Sequence, residues 1–231
     1  MDYRYSTTND GARDPEFQYR SIEILTRFLV GLLITSAVLG VVAAISAGLQ
    51  LQLLGAQFTH EQATANDVRE RLVALGATTV QLVTVVVFAV WIVRAHRNLP
   101  ALGAEDLDVT PGWALGWFIV PIASFWKPYT AMRTLWKASH DGPRWEVEDV
   151  PAWMTLWWVL WLVGMVFGRL ILSQLSQANT LDGLIVMTKT SLASDGANLV
   201  LDGIAALLVL RIWRAQEAQF EARSATAIIA T

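Results

Sequence analysis

Two polar side chains inside long apolar stretches carry most of the chemistry this sequence offers. Asp202 interrupts the apolar run from Ala197 to Trp213, and Gln81 stands midway along the charge-free run from Leu72 to Val93. An ionisable group placed there costs at least about 2.5 kcal/mol to insert in a bilayer, so it should face a bundle interior and take a partner. Arg169, at the end of the preceding apolar run, has a matching depth. The expectation is an Arg169–Asp202 pair that fixes helix register, with a transport or proton-relay role as the alternative. Gln81 should bond a neighbouring helix, an interaction worth about 0.6–2 kcal/mol, or line a cavity. Ser124, beside the helix break at Pro121, completes a candidate intramembrane polar site of Gln81, Asp202, Arg169 and Ser124. Asp195, just ahead of the last run, reads as a helix cap.

A second constellation is basic. Arg94, His96 and Arg97 follow Val93 directly, at headgroup level, and together with Lys127 and Arg133 they are candidate contacts for anionic lipid headgroups. Each charge near such a surface is worth about 1 kcal/mol, although ordinary topology-setting charges look the same. Trp153, Trp157 and Trp161 share a helical face, as do Trp113 and Trp117. They read as an aromatic belt and as packing rather than as a cation cage.

Catalysis and metal binding find little support. His60, His96 and His140 are scattered without an HExxH spacing, and GxSxG, P-loop and GxGxxG patterns are missing. With no cysteine, disulfide, thiolate-metal and cysteine-nucleophile chemistries fall away. No catalytic residue, metal or cofactor is expected, and the chain reads as non-enzymatic. A membrane-embedded enzyme acting on lipid is the alternative, with Lys127, Arg133 and His96 on a headgroup and Asp202 or His140 moving protons. A purely structural or partner subunit is a third reading.

These side chains must be positioned by helices in lipid. Of 231 residues, 54% are apolar and 16% charged, against about 25% charged in an ordinary soluble domain, and the net charge is −3. The mean hydropathy is +0.43. Disorder and nucleic-acid binding are excluded on that composition. A bilayer core about 30 Å thick needs about 20 apolar helical residues, and Phe28–His60, Leu72–Val93, Val150–Gly168 and Ala197–Trp213 supply four spans. The first is too long, and too far from the start, for a cleaved signal. Small residues at Ser36, Gly40, Ala44 and Gly48, and again at Gly164 and Gly168, imply close helix packing.

The stretch from Val109 to Trp126 is different. Thr110-Pro111 starts a helix, and Pro121 removes a backbone donor and frees the carbonyl of Trp117. About nine helical residues between the prolines reach about 13 Å, roughly to mid-membrane. The amphipathic piece YTAMRTLWKASH follows Lys127-Pro128. If the stretch dips and returns, Arg69, Arg71, Arg169 and Lys189 stand on one side of the membrane and every other Lys and Arg on the other, whereas a full crossing nearly equalises the two sides. The asymmetric arrangement is the expected one, with both termini cytoplasmic and the dip wrapped by the spans. Five spans with a kinked third is the alternative.

The segment RAHRNLPALGAEDLDVTPGWALGWFIVPIASFWKPYTAMRTLWKAS, followed by WWVLWL and the Asp-containing final run, resembles an uncharacterised bacterial integral membrane family, domain of unknown function 4328. The resemblance rests on Arg94, His96 and Asn98, on Pro111, Gly112, Trp113, Trp117 and Pro121, on Trp126, Lys127, Pro128 and Tyr129, and on Met132 and Trp136. It covers about residues 70–215 and implies a multi-pass protein of the bacterial inner membrane, with no activity or site residue to transfer.

The sequence therefore predicts an all-α polytopic bundle of four spans plus a proline-broken segment: a polar leader 1–21, a transmembrane domain 22–215 and a tail 216–231. It should bind or pass a small solute, an ion or a lipid. Its partners are the lipid bilayer and, in some arrangements, further copies or a second membrane protein.

Overall fold

A computed structural model describes residues 18–177 and 180–229, so most of the polar leader lies outside the described residues. The described residues are helical throughout their regular structure, in six helices: α1 Glu23–Leu54, α2 His60–Arg97, α3 Pro111–Gly116, α4 Lys127–His140, α5 Ala152–Gln174 and α6 Leu181–Ile229. Four of these, all but α3 and α4, are long and apolar enough to cross a membrane.

Local signals set the helix starts. Thr59 and Gln62 form a reciprocal capping box at α2, with Thr59 N donating to Gln62 Oε1 at 2.9 Å and Gln62 N to Thr59 Oγ1 at 3.2 Å. Thr180 Oγ1 accepts from Gly183 N at the head of α6. At 1.5 Å per residue, the 38 residues of α2 and 49 of α6 run about 57 and 74 Å, well past a bilayer core, and the excess is their polar turns. The helix that holds Ala197–Trp213 is accordingly longer than that run, and residue 215 lies within it.

The proline-broken stretch forms no helix long enough to cross a membrane among the described residues. Thr110 caps α3, its Oγ1 accepting from Trp113 N, but α3 is only six residues long, about 9 Å. It ends at Gly116, ahead of the expected break at Pro121, which offers no N–H to Trp117 O. The chain then turns through Phe118 N→Leu115 O, Ile119 N→Gly116 O and Ser124 N→Val120 O bonds. Ile122 holds φ +65°, strained for a β-branched residue. Nor is the segment wrapped: Ile119 is 77% and Ile122 71% exposed. Part of its backbone closes its own turns, and its apolar tips are exposed.

The chain divides into two compact units. The first comprises residues 18–30, 85–154 and 207–229; the second comprises Gly31–Thr84 and Thr155–Ala206. Arg69, Arg71, Arg169 and Lys189 are the basic residues of the second unit, and the other described Lys and Arg belong to the first.

The first unit has a true core, with Ile22, Leu29, Trp91, Ile92, Leu99, Leu102, Met132, Leu135, Met154, Leu208 and Ile212 buried. Amphipathic α4 supplies Ala131, Met132, Leu135 and Trp136 to it. Polar bonds pin this core. Trp91 Nε1 donates to Thr26 Oγ1 at 2.8 Å. Asn98 accepts from Arg20 N at 3.1 Å and donates to Arg20 O and Gln216 Oε1, both at 3.0 Å. Gln216 Nε2 in turn donates to Ala95 O and Ser139 Oγ. Gly142 sits so close to the Leu102 carbonyl that a Cβ would lie 2.1 Å from its oxygen, and Arg223 Nη1 donates to that same oxygen.

Candidate functional site

In the second unit, α1, α2, α5 and α6 surround an open-sided cavity of about 550 Å³. From α1 come Ser36 and Gly40, from α2 Thr78 and Gln81, from α5 Trp161, Gly164 and Gly168, and from α6 Ser194, Asp195 and Asn198. The small-residue stripes make this space. A Cβ at Gly40 or at Gly168 would meet nothing within 4 Å, and one at Gly164 would meet Asn198 Oδ1 at 3.6 Å. The stripes were expected to bring helices into close packing; at these positions they hold a cavity open.

Polar groups on α6 fall at a helical interval. Asp195, Asn198 and Asp202 stand three and four residues apart, on one face. Asp195 is well inside α6, so it is not a cap as its sequence position suggested. Asn198 Nδ2 donates to Ser194 Oγ at 3.4 Å, and Asp202 interacts with the Ser36 hydroxyl. A further polar cluster lies near Asp195. Ser46 Oγ donates to Glu70 Oε1 at 2.5 Å, Arg69 Nε donates to Ser46 Oγ at 2.9 Å, and the Glu70 carboxylate acts electrostatically on Asp195. Among the described residues no Lys or Arg lines the cavity; Arg69 lies beyond its lining, bonded to Ser46 and paired with Glu70.

The four residues proposed for the intramembrane site separate. Gln81 lines the cavity, and Asp202 adjoins it through Ser36. Arg169 is exposed and makes no ion pair among the described residues. No Arg169–Asp202 ion pair forms among the described residues, and the register explains it. Gln174 Nε2 donates to Thr190 Oγ1, and Gly164 faces Asn198, which aligns Arg169 with the neighbourhood of Ser194 and leaves Asp202 about two turns away. Ser124 is buried in the first unit, outside this group.

The basic candidates also separate. Arg94 and Arg97 line one cleft of the first unit, together with Arg20. His96 is 1% exposed, with Nδ1 2.9 Å from Ile92 O and Nε2 3.3 Å from Ala131 O. It is a core residue joining α2 to α4, and its role as a headgroup contact is corrected for that reason. Lys127 lies over the Trp117 ring at 5.3 Å and Arg133 over Tyr129 at 5.8 Å, each against its own aromatic neighbour. His140 Nδ1 is 2.8 Å from Trp136 O. Trp113 packs on Trp117 and Trp158 on Trp161, with centroids 4.5 and 4.7 Å apart.

Sequence reasoning missed Asn198, Ser194 and Arg20. The Asp195, Asn198, Asp202 interval was a usable signal, obscured by starting the last span at Ala197. Arg20 carried none, since its place depends on Asn98, just past the end of α2.

Compared with known proteins, the chain matches the family model for a domain of unknown function, DUF4328, over residues 55–214. No curated protein and no solved structure matches it. The matched residues contain α2, α3, α4 and α5 whole, and with them Arg94, His96, Asn98 and three of the four walls of the cavity.

Proposed function

From the premise that the chain belongs to the DUF4328 family, whose function is unknown, and has four helices able to cross a membrane, we propose that it is a non-enzymatic membrane protein that binds, and passes, a small cationic or proton-carrying solute. The observation that carries this reading is the cavity of about 550 Å³ lined by Asp195, Asn198, Gln81 and Trp161 without a basic residue. A carboxylate within a membrane-crossing unit is expensive unless something compensates it. Neutral amide and hydroxyl dipoles orient a solute but do not balance that charge. A cation does, and the Trp161 ring adds a face that favours one.

The reading also takes a bacterial inner-membrane location with both termini cytoplasmic. It is supported by the confinement of the second unit's basic residues to Arg69, Arg71, Arg169 and Lys189. Single cysteines at Ala56 and at Arg144, in the otherwise cysteine-free chain, should react with impermeant reagent from opposite sides. Reaction from one side alone would return the five-span alternative.

The functional experiment uses proteoliposomes and follows uptake of radiolabelled sodium, rubidium and methylammonium, together with proton flux by an entrapped dye. Uptake of at least one is expected. Asp195→Asn should reduce it at least tenfold, and Gly168→Leu, which projects a side chain into open space, should block it with the fold intact. Flux of every probe equal to that of empty liposomes, or unchanged in both variants, would end the proposal.

A further inference from the structure

A cleft of about 480 Å³ in the first unit has the opposite character to the cavity of the second. Its polar lining is Arg20, Arg94, Arg97, Gln18 and Asn98, with no carboxylate among the described residues. None of the three arginines takes part in an ion pair among the described residues. Arg94 goes further: its Nε is fully buried and has no hydrogen-bond partner there. A guanidinium donor removed from water and left without an acceptor is costly, so the site is built for an acceptor that arrives from outside. Asn98 does not serve as that acceptor: its amide bonds Arg20 and Gln216, and Arg94 Nε stays without a partner. Those bonds instead fix the Arg20 backbone against α2, which presents three forked cations to one space.

The remaining wall is apolar, formed by Ala89, Val90, Val93 and Leu115. Val90 and Val86 are 51% and 63% exposed, so the apolar surface continues from the cleft along α2, away from Arg94 and into the charge-free run. An anion that uses the whole site therefore has a planar-fork acceptor at one end and hydrocarbon at the other. We propose that this cleft binds one anionic phospholipid, its phosphodiester held by Arg20, Arg94 and Arg97 and an acyl chain laid on Val86, Val90 and Leu115. Guanidinium forks match the oxygens of a phosphate. A free phosphate would share the arginines but gain nothing from the valines. The site is independent of the solute cavity.

The test uses the full chain purified in detergent, with phosphatidylglycerol, phosphatidylcholine and inorganic phosphate as probes and binding read by native mass spectrometry. Phosphatidylglycerol should bind at least tenfold more tightly than phosphatidylcholine. Each arginine near an anionic headgroup contributes about fivefold, so the double variant R94Q/R97Q should weaken phosphatidylglycerol about thirtyfold and remove the preference. Millimolar inorganic phosphate should not displace the lipid. Equal binding of the two lipids, an unchanged preference in the variant, or displacement by phosphate alone would each overturn the proposal. Should R94Q/R97Q not fold, a phosphatidylglycerol with a photoreactive acyl chain decides on the unaltered protein: crosslinks within Val86–Val93 or at Leu115 support it, and crosslinks elsewhere overturn it.

Discussion

Asn98, just past the end of α2, and Asn198, within α6, are the same residue type, yet they are used in opposite ways. Asn98, in the first unit, is 1% exposed and spends its amide on Arg20 and Gln216. Asn198, in the second, makes one long bond to Ser194 and otherwise faces the cavity. The contrast extends to whole units. The buried apolar core belongs almost entirely to the first, while the second buries few large residues, among them Leu33, Trp157 and Trp158. Asn98 and Gln216 satisfy their partners internally and so fix the geometry around them, although Arg94 of the same unit keeps one buried donor unbonded. Polar groups left facing space, as Asn198 is, depend on what enters.

The largest test of that difference substitutes the two asparagines in parallel. Asn98→Ala strands Arg20 N, Arg20 O and one acceptor of Gln216, and at about 1–3 kcal/mol for each unsatisfied buried group it should cost about 4 kcal/mol. Thermal unfolding in detergent should show a large drop, whereas Asn198→Ala should stay within about 0.5 kcal/mol of the parent. Similar losses for both would erase the distinction between the units. Glycines sharpen it at a somewhat smaller effect. Gly142→Ala drives a Cβ into the backbone oxygen of Leu102 and should cost about 3 kcal/mol. Gly40→Ala enters open space in a helix and should gain up to about 1 kcal/mol.

A smaller effect probes one bond of the core. Trp91→Phe keeps most of the ring but leaves the buried Thr26 hydroxyl without its indole donor, a loss of about 1.5 kcal/mol in the same melting assay. A neutral result would mean that packing alone holds α1 against α2 there.

What the sequence made legible follows the range of the interactions. Charge-free runs mark the four crossing helices because a bilayer imposes its thickness on any helix that spans it, and Thr110-Pro111 with Pro121 bracket the interrupted stretch because proline acts within its own turn. The amphipathic Lys127–His140 is readable for the same local reason. Asn98 was not readable as a clamp, since its partners lie 78 and 118 residues away. His96 beside Arg94 and Arg97 looked like one more headgroup cation, and only the approach of α4, whose Ala131 carbonyl lies 3.3 Å from His96 Nε2, shows that it turns inward. The Arg69, Ser46, Glu70 cluster was invisible for a similar reason, being made by two helices at once.

The smallest expected effect concerns Arg169, the residue first matched to Asp202. Depth counted from an assumed span boundary made them neighbours, while the register set by Gln174 with Thr190 and Gly164 with Asn198 separates them along the helix axis. If that register holds, Arg169→Ala removes an exposed side chain with no ion-pair partner among the described residues and should shift stability by less than about 0.5 kcal/mol. The double variant with Asp202→Asn should then equal the sum of the singles, since groups without contact add. A coupling of about 1 kcal/mol or more in that cycle would show the pair forming after all, and would place a cation against the one group of acids that the second unit otherwise leaves for a solute.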